Sequence, residues 1–183
     1  MLLKIGAAVY LTESNVRTRA ANLTPSQLSE ARASLSKTAS RHRTVFLSHS
    51  HDDRAIVEPV RILLAAQGVD LYVDWKDPAM PAITSPETAR LIKSRIRSAD
   101  KFVMLASNTS LRSRWVPWEL GLGDITKGLP NVVIFPVTPD YGQWEGSEYI
   151  GIYSRIEQAN QGELAVFEPG KTTGVTLDVW LER

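Results

Sequence analysis

The sequence predicts an α/β fold, in which an open sheet of four to five mostly parallel strands carries helices on both faces. Short apolar runs rich in β-branched residues alternate with longer segments that repeat apolar residues at helical spacing. The short runs lack polar alternation, which is typical of strands buried on both faces of a parallel sheet. Alternation of the two kinds of segment indicates right-handed βαβ units.

The composition is that of a soluble globular protein, with 43% hydrophobic and 22% charged residues among 183. The chain has no cysteine, which excludes disulfides, thiolate metal sites and a cysteine nucleophile. No apolar run approaches the roughly 18 residues of a membrane helix, so we expect a cytoplasmic protein without membrane contact. We predict an N-terminal extension over residues 1–43 and the main domain over 44–183.

The extension is predicted to contain one amphipathic helix. Thr24 and Pro25 suit a helix start, and apolar residues follow at helical spacing at Leu28, Ala31 and Leu35. Such a helix cannot fold alone, so it packs either on the main domain or on a neighbouring subunit. The basic residues of the extension are not interleaved with aromatic residues, and we therefore do not expect nucleic-acid binding.

The main domain opens with a strand over Thr44–Leu47 and a polar loop over Ser48–Asp53. Polar residues at the carboxyl end of a parallel strand lie where open α/β sheets bind ligands. An amphipathic helix follows and stops at Gly68, and Pro59 predicts either a kink in it or a late start near Glu58.

The remaining elements follow in order. We predict strands at Val69–Val73, Lys101–Leu105 and Asn131–Val137, helices from Ser85 and over Ser113–Thr126, and polar loops at Asp74–Ser85 and Ala106–Arg112. Weaker patterns indicate short strands at Tyr149–Tyr153 and Leu164–Phe167 and a helix or strand at Thr176–Glu182. A flavodoxin-like strand order would place the Thr44 strand near the middle.

Glu119 is the strongest candidate for chemistry. Trp115 lies four residues before it, so an indole and a carboxylate share one helix face. Pro117 indicates that the helix begins nearby, and the helix dipole is expected to keep Glu119 ionised. An ionised carboxylate beside an aromatic plane suits a ligand with a sugar diol and a flat cationic ring. The alternative is that the tryptophans are core and that Glu119 pairs with Arg112 or Arg114.

Two other motifs favour structural roles. His49 and His51 stand beside two aspartates, but the only other histidine is His42, so we predict no metal site. Gly121 and Gly123 lie inside a helix rather than opening one, and we expect them to let that helix approach a neighbour closely.

Four motifs then occur in order: TVFLSHSHDD, VDLYVDWKD, IRSADKFVMLASNTSLRS and RWVPWELGLGD. Together they resemble a bacterial Toll/interleukin receptor (TIR) domain from Thr44 to Val137. In that family the Glu of a WxxxE pattern is needed to cleave the nicotinamide ribosyl bond of NAD, and the Trp lines the pocket. The resemblance therefore implies that Glu119 is catalytic and that Trp115 is a pocket wall.

The resemblance also implies that the two polar loops frame the site, with Ser48, His49, Ser50, Asp74 and Trp75 as substrate-binding residues. NAD+ would be the substrate, with no further cofactor. Expected partners are other copies of the domain, through homotypic TIR–TIR assembly, and a separate effector protein reached through a nucleotide product. Bacterial relatives include the signal-producing enzymes of Thoeris-type antiphage systems, which give ADP-ribose or a cyclic ADP-ribose.

Two other functions stay open at this point. One is a non-catalytic TIR adaptor or scaffold that acts only through homotypic contacts. The other is a nucleoside-cleaving transferase on a similar α/β fold, which would also place a carboxylate at a strand end.

Overall fold

The computed structural model describes residues 2–4, 10–36, 44–81, 83, 85–160 and 162–183. The strands are β1 (Leu2–Lys4), β2 (Leu11–Thr12), β3 (Thr44–Ser48), β4 (Asp70–Tyr72), β5 (Lys101–Ala106), β6 (Val132–Thr138), β7 (Ser154–Gln158), β8 (Leu164–Phe167) and β9 (Thr173–Thr176). The helices are α1 (Glu13–Ala21), α2 (Pro25–Ser36), α3 (Arg54–Ala65), α4 (Pro86–Ser98), α5 (Asn108–Arg112), α6 (Val116–Lys127) and α7 (Leu177–Glu182).

The central sheet runs in the order β4-β3-β5-β6-β7, and all four of these pairings are parallel. This is the flavodoxin-like order with the Thr44 strand next to the middle, so the predicted fold class is confirmed. Beyond β7 the sheet continues through β8, β9 and β1 with antiparallel pairing, which the sequence did not predict. β2 pairs in parallel with the end of β6.

Side chains of β3 divide the core between the two faces of the sheet, because successive residues of a strand point in opposite directions. Val45 and Leu47 join the apolar cluster under α1, α3 and α7, whereas Phe46 joins the cluster under α4 and α6. Each of these three side chains is at least 98% buried, which stabilises the fold by about 1.5–3 kcal/mol apiece. The sheet therefore has helices on both faces.

The helix predicted in the N-terminal extension is α2, and it packs within its own chain. The helix before it, α1, was not predicted. α1 and α2 both lie against α3, and Val16 and Ala31 are buried there. Thr12 caps α1 by accepting a hydrogen bond from the backbone N–H of Asn15. The side chain of Leu35 lies outside the described part of the structure.

Three details differ from the sequence prediction. Residues Glu148–Ile152 form a 3-10 helix rather than a strand, because only Ile150 of its apolar residues is buried, and the fifth parallel strand is Ser154–Gln158 instead. The predicted loop at Ala106–Arg112 contains α5, whose first turn is capped by the Ser107 side chain. The predicted late start of α3 near Glu58 is wrong.

α3 begins at Arg54 and continues through Pro59. A proline removes one backbone hydrogen bond, but the buried apolar face of this helix, which includes Ile56, Val57 and Val60, compensates for that loss. Among the helices that the structure describes, none combines the length and apolar character needed to span a bilayer.

Candidate active site

A cleft of about 190 Å³ lies at the carboxyl end of β3, where the sequence predicts a ligand site. Its walls come from the loop after β3, the segment after β4, the first half of α4 and the start of α6. The lining residues are His49, Ser50, His51, Asp74, Met80, Pro81, Thr88, Ile92, Ser113, Trp115 and Glu119. The structure therefore brings together five of the predicted site residues: Glu119, Trp115, His49, Ser50 and Asp74.

Glu119 is placed by the start of α6. Trp115 is the residue before the helix, and its carbonyl accepts the first helical hydrogen bond from the backbone N–H of Glu119 at 2.8 Å. This geometry sets the Glu119 carboxylate in the first turn, and only 6% of the residue is exposed. The hydroxyl of Ser48 donates a hydrogen bond to Oε2 of Glu119 at 2.6 Å. Ser48 is fully buried behind Glu119 and does not itself line the cleft.

The pKa of Glu119 is raised to about 7, and burial of the carboxylate is the largest of the causes. The hydrogen bond from Ser48 lowers the pKa, the nearby Asp74 carboxylate raises it, and His49 lowers it. The expectation that the helix dipole keeps this pKa low is therefore wrong. Loss of hydration in a closed site outweighs the partial charges of a helix end.

His49 links the floor of the cleft to its wall. Its Nδ1 lies 2.9 Å from the carbonyl oxygen of Leu47, and its Nε2 lies 3.3 Å from Oδ1 of Asp74. Burial lowers the pKa of His49, but the hydrogen bond and charge of Asp74, with smaller effects from Leu47 and Glu119, raise it above its usual value. Together with Glu119, the pair of His49 and Asp74 places an imidazole and two carboxylates in one small volume.

A buried network holds the loop after β3. Oδ2 of Asp53 accepts hydrogen bonds from the hydroxyls of Ser107 at 2.7 Å and Ser110 at 2.6 Å. The Ser110 oxygen in turn accepts from the backbone N–H of Ser50 at 3.1 Å. The end of β5 and the start of α5 thus fix the backbone that carries Ser48 and His49.

The segment after β4 is anchored by Asp77. Its Oδ2 accepts hydrogen bonds from the Tyr72 hydroxyl at 2.7 Å and from Nε of Arg95 at 2.8 Å. These bonds tie Asp74 and its neighbours to β4 and α4. Trp75, a predicted substrate-binding residue, lies in the 3-10 turn Asp74–Lys76, but its side chain is outside the described part of the structure.

Several lining residues were not predicted from the sequence. Thr88 and Ile92 lie four residues apart on the buried face of α4, so helical spacing could have placed them beside the loop. Met80 and Pro81 come from the loop Asp74–Ser85. Its sequence has no periodicity from which the directions of the side chains could be predicted. Ser113 lies just before α6 and accepts hydrogen bonds from the backbone N–H groups of the next turn.

The structural alternative for the WxxxE pattern is not supported. Arg112 pairs with Glu145, Arg114 is exposed, and the carboxylate of Glu119 instead accepts a hydrogen bond from Ser48. The rings of Trp115 and Trp118 meet edge to face, with centroids 5.3 Å apart, and Trp115 lines the cleft while Trp118 is 37% exposed. Neither tryptophan belongs to the fully buried core.

The two glycines of α6 have different surroundings. A Cβ atom at Gly123 would lie 2.7 Å from the Phe102 ring, so this glycine allows the helix to approach the sheet closely, as predicted. A Cβ atom at Gly121 would meet no atom within 4 Å. The prediction therefore holds for Gly123 and is wrong for Gly121.

A larger cavity, of about 670 Å³, is not the candidate site. It lies between α1, the end of α3 and the start of α7. Its charged lining groups are Arg19, Glu163 and Asp178, and the two acids are solvent-exposed. Size favours this cavity, but the smaller cleft holds the buried carboxylate with a raised pKa, which is the feature that marks reactive sites.

Comparisons with known proteins place the chain in a family. The family model described as "TIR domain" matches residues 45–164. The chain is 34% identical over 116 residues to "Probable 3' cyclic ADP-D-ribose synthase ThsB'" of Bacillus cereus (strain MSX-D12), covering 61% of this chain and 59% of that protein. It is 27% identical over 116 residues to "Putative cyclic ADP-D-ribose synthase TIR2" of Cytobacillus dafuensis, covering 55% of this chain and 31% of that protein. The match spans less than two thirds of either relative.

Proposed function

The chain belongs to the TIR domain family, and from that premise we propose that it cleaves the bond between nicotinamide and ribose in NAD+. The observation that carries this proposal is the Glu119 carboxylate, which is buried at the floor of a cleft beside Trp115 and is held by Ser48. The names of the two relatives support a cyclic ADP-ribose product.

The proposed step is a displacement at the ribose carbon. The bond from that carbon to the pyridinium nitrogen breaks, and both electrons leave with neutral nicotinamide. The ribose then carries the positive charge of an oxocarbenium ion, which an ionised Glu119 stabilises and orients through the sugar hydroxyls. Water completes hydrolysis to ADP-ribose, or a hydroxyl of the same molecule closes a ring, and either nucleophile releases one proton.

We assign Glu119 as the catalytic residue and Trp115 as the wall against the nicotinamide ring. His49, Ser50 and Asp74 line the cleft and are proposed to contact the substrate, as is Trp75 from its position in the adjoining turn. Ser48 is proposed to act through Glu119. NAD+ is the substrate, and the proposal includes no further cofactor.

The decisive experiment follows NAD+ consumption by liquid chromatography and mass spectrometry. We expect wild-type protein to release nicotinamide, Glu119→Gln to lose at least about a hundredfold in rate, and the exposed Glu168→Gln to match wild type. The mass of the ribosyl product separates hydrolysis from cyclisation. Full activity in Glu119→Gln would overturn the assignment of this residue. Release of free base from nucleosides, with NAD+ untouched, would instead favour the transferase.

Self-association is a second proposal, and α6 carries the observation that favours it. Ile125 is 89% exposed, and Trp118 on the same side of α6 is exposed as well. Leu129, in the 3-10 turn that follows the helix, is also exposed. We propose that homotypic assembly covers the surface formed by Trp118, Ile125 and Leu129. Sedimentation of wild type and Ile125→Asp over a concentration series tests this proposal. If Ile125→Asp assembles as wild type does, α6 is not part of the interface. Assembly without NAD+ turnover would favour an adaptor.

The cellular role is proposed on the same basis. A cyclic ADP-ribose product would diffuse in the cytoplasm and activate a separate effector protein, as expected for antiphage immunity. Mixing the filtered reaction products with a candidate effector, with Glu119→Gln products as control, tests whether the nucleotide alone carries the signal.

A further inference from the structure

Both ring nitrogens of His49 face oxygen atoms that accept hydrogen bonds. The carbonyl oxygen of Leu47 can only accept, so Nδ1 of His49, 2.9 Å away, carries a hydrogen. In a neutral ring, Nε2 would then hold a lone pair. That lone pair would lie 3.3 Å from Oδ1 of Asp74, and two electron-rich atoms at this distance repel each other. A second hydrogen on Nε2 converts this repulsion into an ion pair.

The cleft also has a charge imbalance that such a cation would correct. Among the described residues that line it, the titratable groups are His49, His51, Asp74 and Glu119. α4 contributes Thr88 and Ile92, and the loop contributes Met80 and Pro81, none of which is charged. Two carboxylates therefore share a small, largely buried volume, and like charges in one site disfavour joint ionisation.

We propose that His49 is held as an imidazolium cation between Leu47 and Asp74, and that it is a positioning residue whose charge allows Asp74 and Glu119 to be ionised together. This role deepens the proposed NAD+ cleavage and rests on it. The geometry supports the proposal, since a doubly protonated ring donates from Nδ1 to Leu47 and places its charge 3.3 Å from Oδ1 of Asp74. The directions of the pKa changes agree with it, because His49 lowers the pKa of Glu119 and Asp74 raises that of His49.

The role differs from substrate contact in a measurable way. If His49 only touched NAD+, its replacement would raise KM by the same factor at every pH. If its charge keeps Glu119 ionised, its replacement removes activity mainly where Glu119 takes up a proton. Raising the pH would then restore activity, because Glu119 ionises without assistance.

The first test observes the ring directly and does not depend on catalysis. Protein labelled with ¹⁵N-histidine is followed by long-range ¹H–¹⁵N correlation from pH 5 to 9, and the signals of His42, His49 and His51 are assigned by single His→Gln variants. We expect both His49 nitrogens to be protonated at pH 7. In Asp74→Asn the titration midpoint of His49 should fall by about one pH unit or more. A neutral His49 ring at pH 7, or an unchanged midpoint in Asp74→Asn, would overturn the proposal.

The second test is the pH dependence of kcat/KM for NAD+ in His49→Gln. We expect the acid limb to move to higher pH by about one unit, so that the deficit relative to wild type is several-fold larger at pH 6.5 than at pH 8.5. In the matched His51→Gln variant the acid limb should keep its position. A loss of equal size at all pH values would refute the charge role. If wild-type protein does not cleave NAD+, the proposed function fails while the labelling experiment still decides the state of His49.

Discussion

The hydroxyl of Ser48 donates a 2.6 Å hydrogen bond to Oε2 of Glu119, and both side chains are buried at the carboxyl end of the sheet. β3 supplies the donor and α6 the acceptor, from positions 71 residues apart. One carboxylate oxygen of Glu119 is therefore fixed in orientation.

The pH dependence of NAD+ cleavage should report Glu119 directly. Its pKa of about 7 means that the carboxylate is mostly protonated below that pH and mostly ionised above it. Since the proposed mechanism uses the ionised form, log kcat/KM should fall by one for each pH unit below about 7. Initial rates between pH 5 and 9 would check this. A rate that is constant down to pH 5 would show that another group limits the reaction.

Ser48→Ala should move that acid limb to higher pH. The substitution removes a hydrogen bond to the ionised form, which is worth about 1.5–3 kcal/mol, and the pKa of Glu119 rises as a result. At pH 7 we expect kcat/KM to fall about tenfold or more, with a smaller deficit at pH 9. Ser98→Ala, at the exposed end of α4, is the control and should keep the wild-type profile. An unchanged profile in Ser48→Ala would show that this bond does not tune Glu119.

Glu119→Gln should stabilise the fold at high pH. The folded protein holds the Glu119 proton up to about pH 7, whereas the unfolded chain releases it near pH 4.5, so stability falls as pH rises through that window. At 1.36 kcal/mol for each pH unit, the cost at pH 8 is about 3 kcal/mol. Glutamine has no charge to bury.

Thermal unfolding at two pH values tests this cost. We expect the Tm of Glu119→Gln to exceed that of wild type by several degrees at pH 8, and the difference to shrink at pH 5. If Glu119→Gln has the same Tm as wild type at pH 8, the Glu119 carboxylate is better hydrated than its 6% exposure indicates. The gain would also place the site among those that trade stability for activity.

Gly123→Ala and Gly121→Ala should have opposite effects on stability. The new methyl group at 123 would meet three carbons of the Phe102 ring at 2.7–2.9 Å, and Phe102 is fully buried against Phe46. We expect a loss of about 1–3 kcal/mol in urea unfolding. At Gly121 the methyl group has free space, so the higher helix propensity of alanine should add up to about 1 kcal/mol. Equal effects at both positions would contradict the described packing.

Asp53→Ala should weaken both the fold and the site. Two buried hydroxyls, those of Ser107 and Ser110, lose their acceptor, which should cost about 2–4 kcal/mol in urea unfolding. Asp53→Asn keeps one acceptor oxygen and should cost less. The neighbouring Asp52 is exposed, and Asp52→Asn should stay within about 0.5 kcal/mol of wild type. If Asp53→Ala equals Asp52→Asn in stability, the network contributes nothing.

The sequence predicted the central sheet well because its signal is local. The run at Val45–Leu47 lacks polar residues since both of its faces are covered, and this pattern is visible without any partner. The spacing of Trp115 and Glu119 likewise needs only the geometry of one helix. These features were therefore predictable from residues alone.

Other features depend on contacts between distant segments. The raised pKa of Glu119 follows from burial under parts of the chain that helix periodicity does not indicate. The acceptor role of Asp53 requires two serines more than 50 residues away. The strand at Ser154–Gln158 was missed because its buried Glu157, which pairs with Arg155, interrupts the apolar pattern.

The pairing of β1 with β9 has a consequence for how the protein is made. Leu2 lies opposite Val175, so the contact closes a loop of about 170 residues, among the most distant closures the chain offers. During synthesis, β1 has no strand to pair with until the residues of β9 have left the ribosome. The parallel strands β3 to β7 are all made before β9, so they can pair with one another before β1 finds its partner.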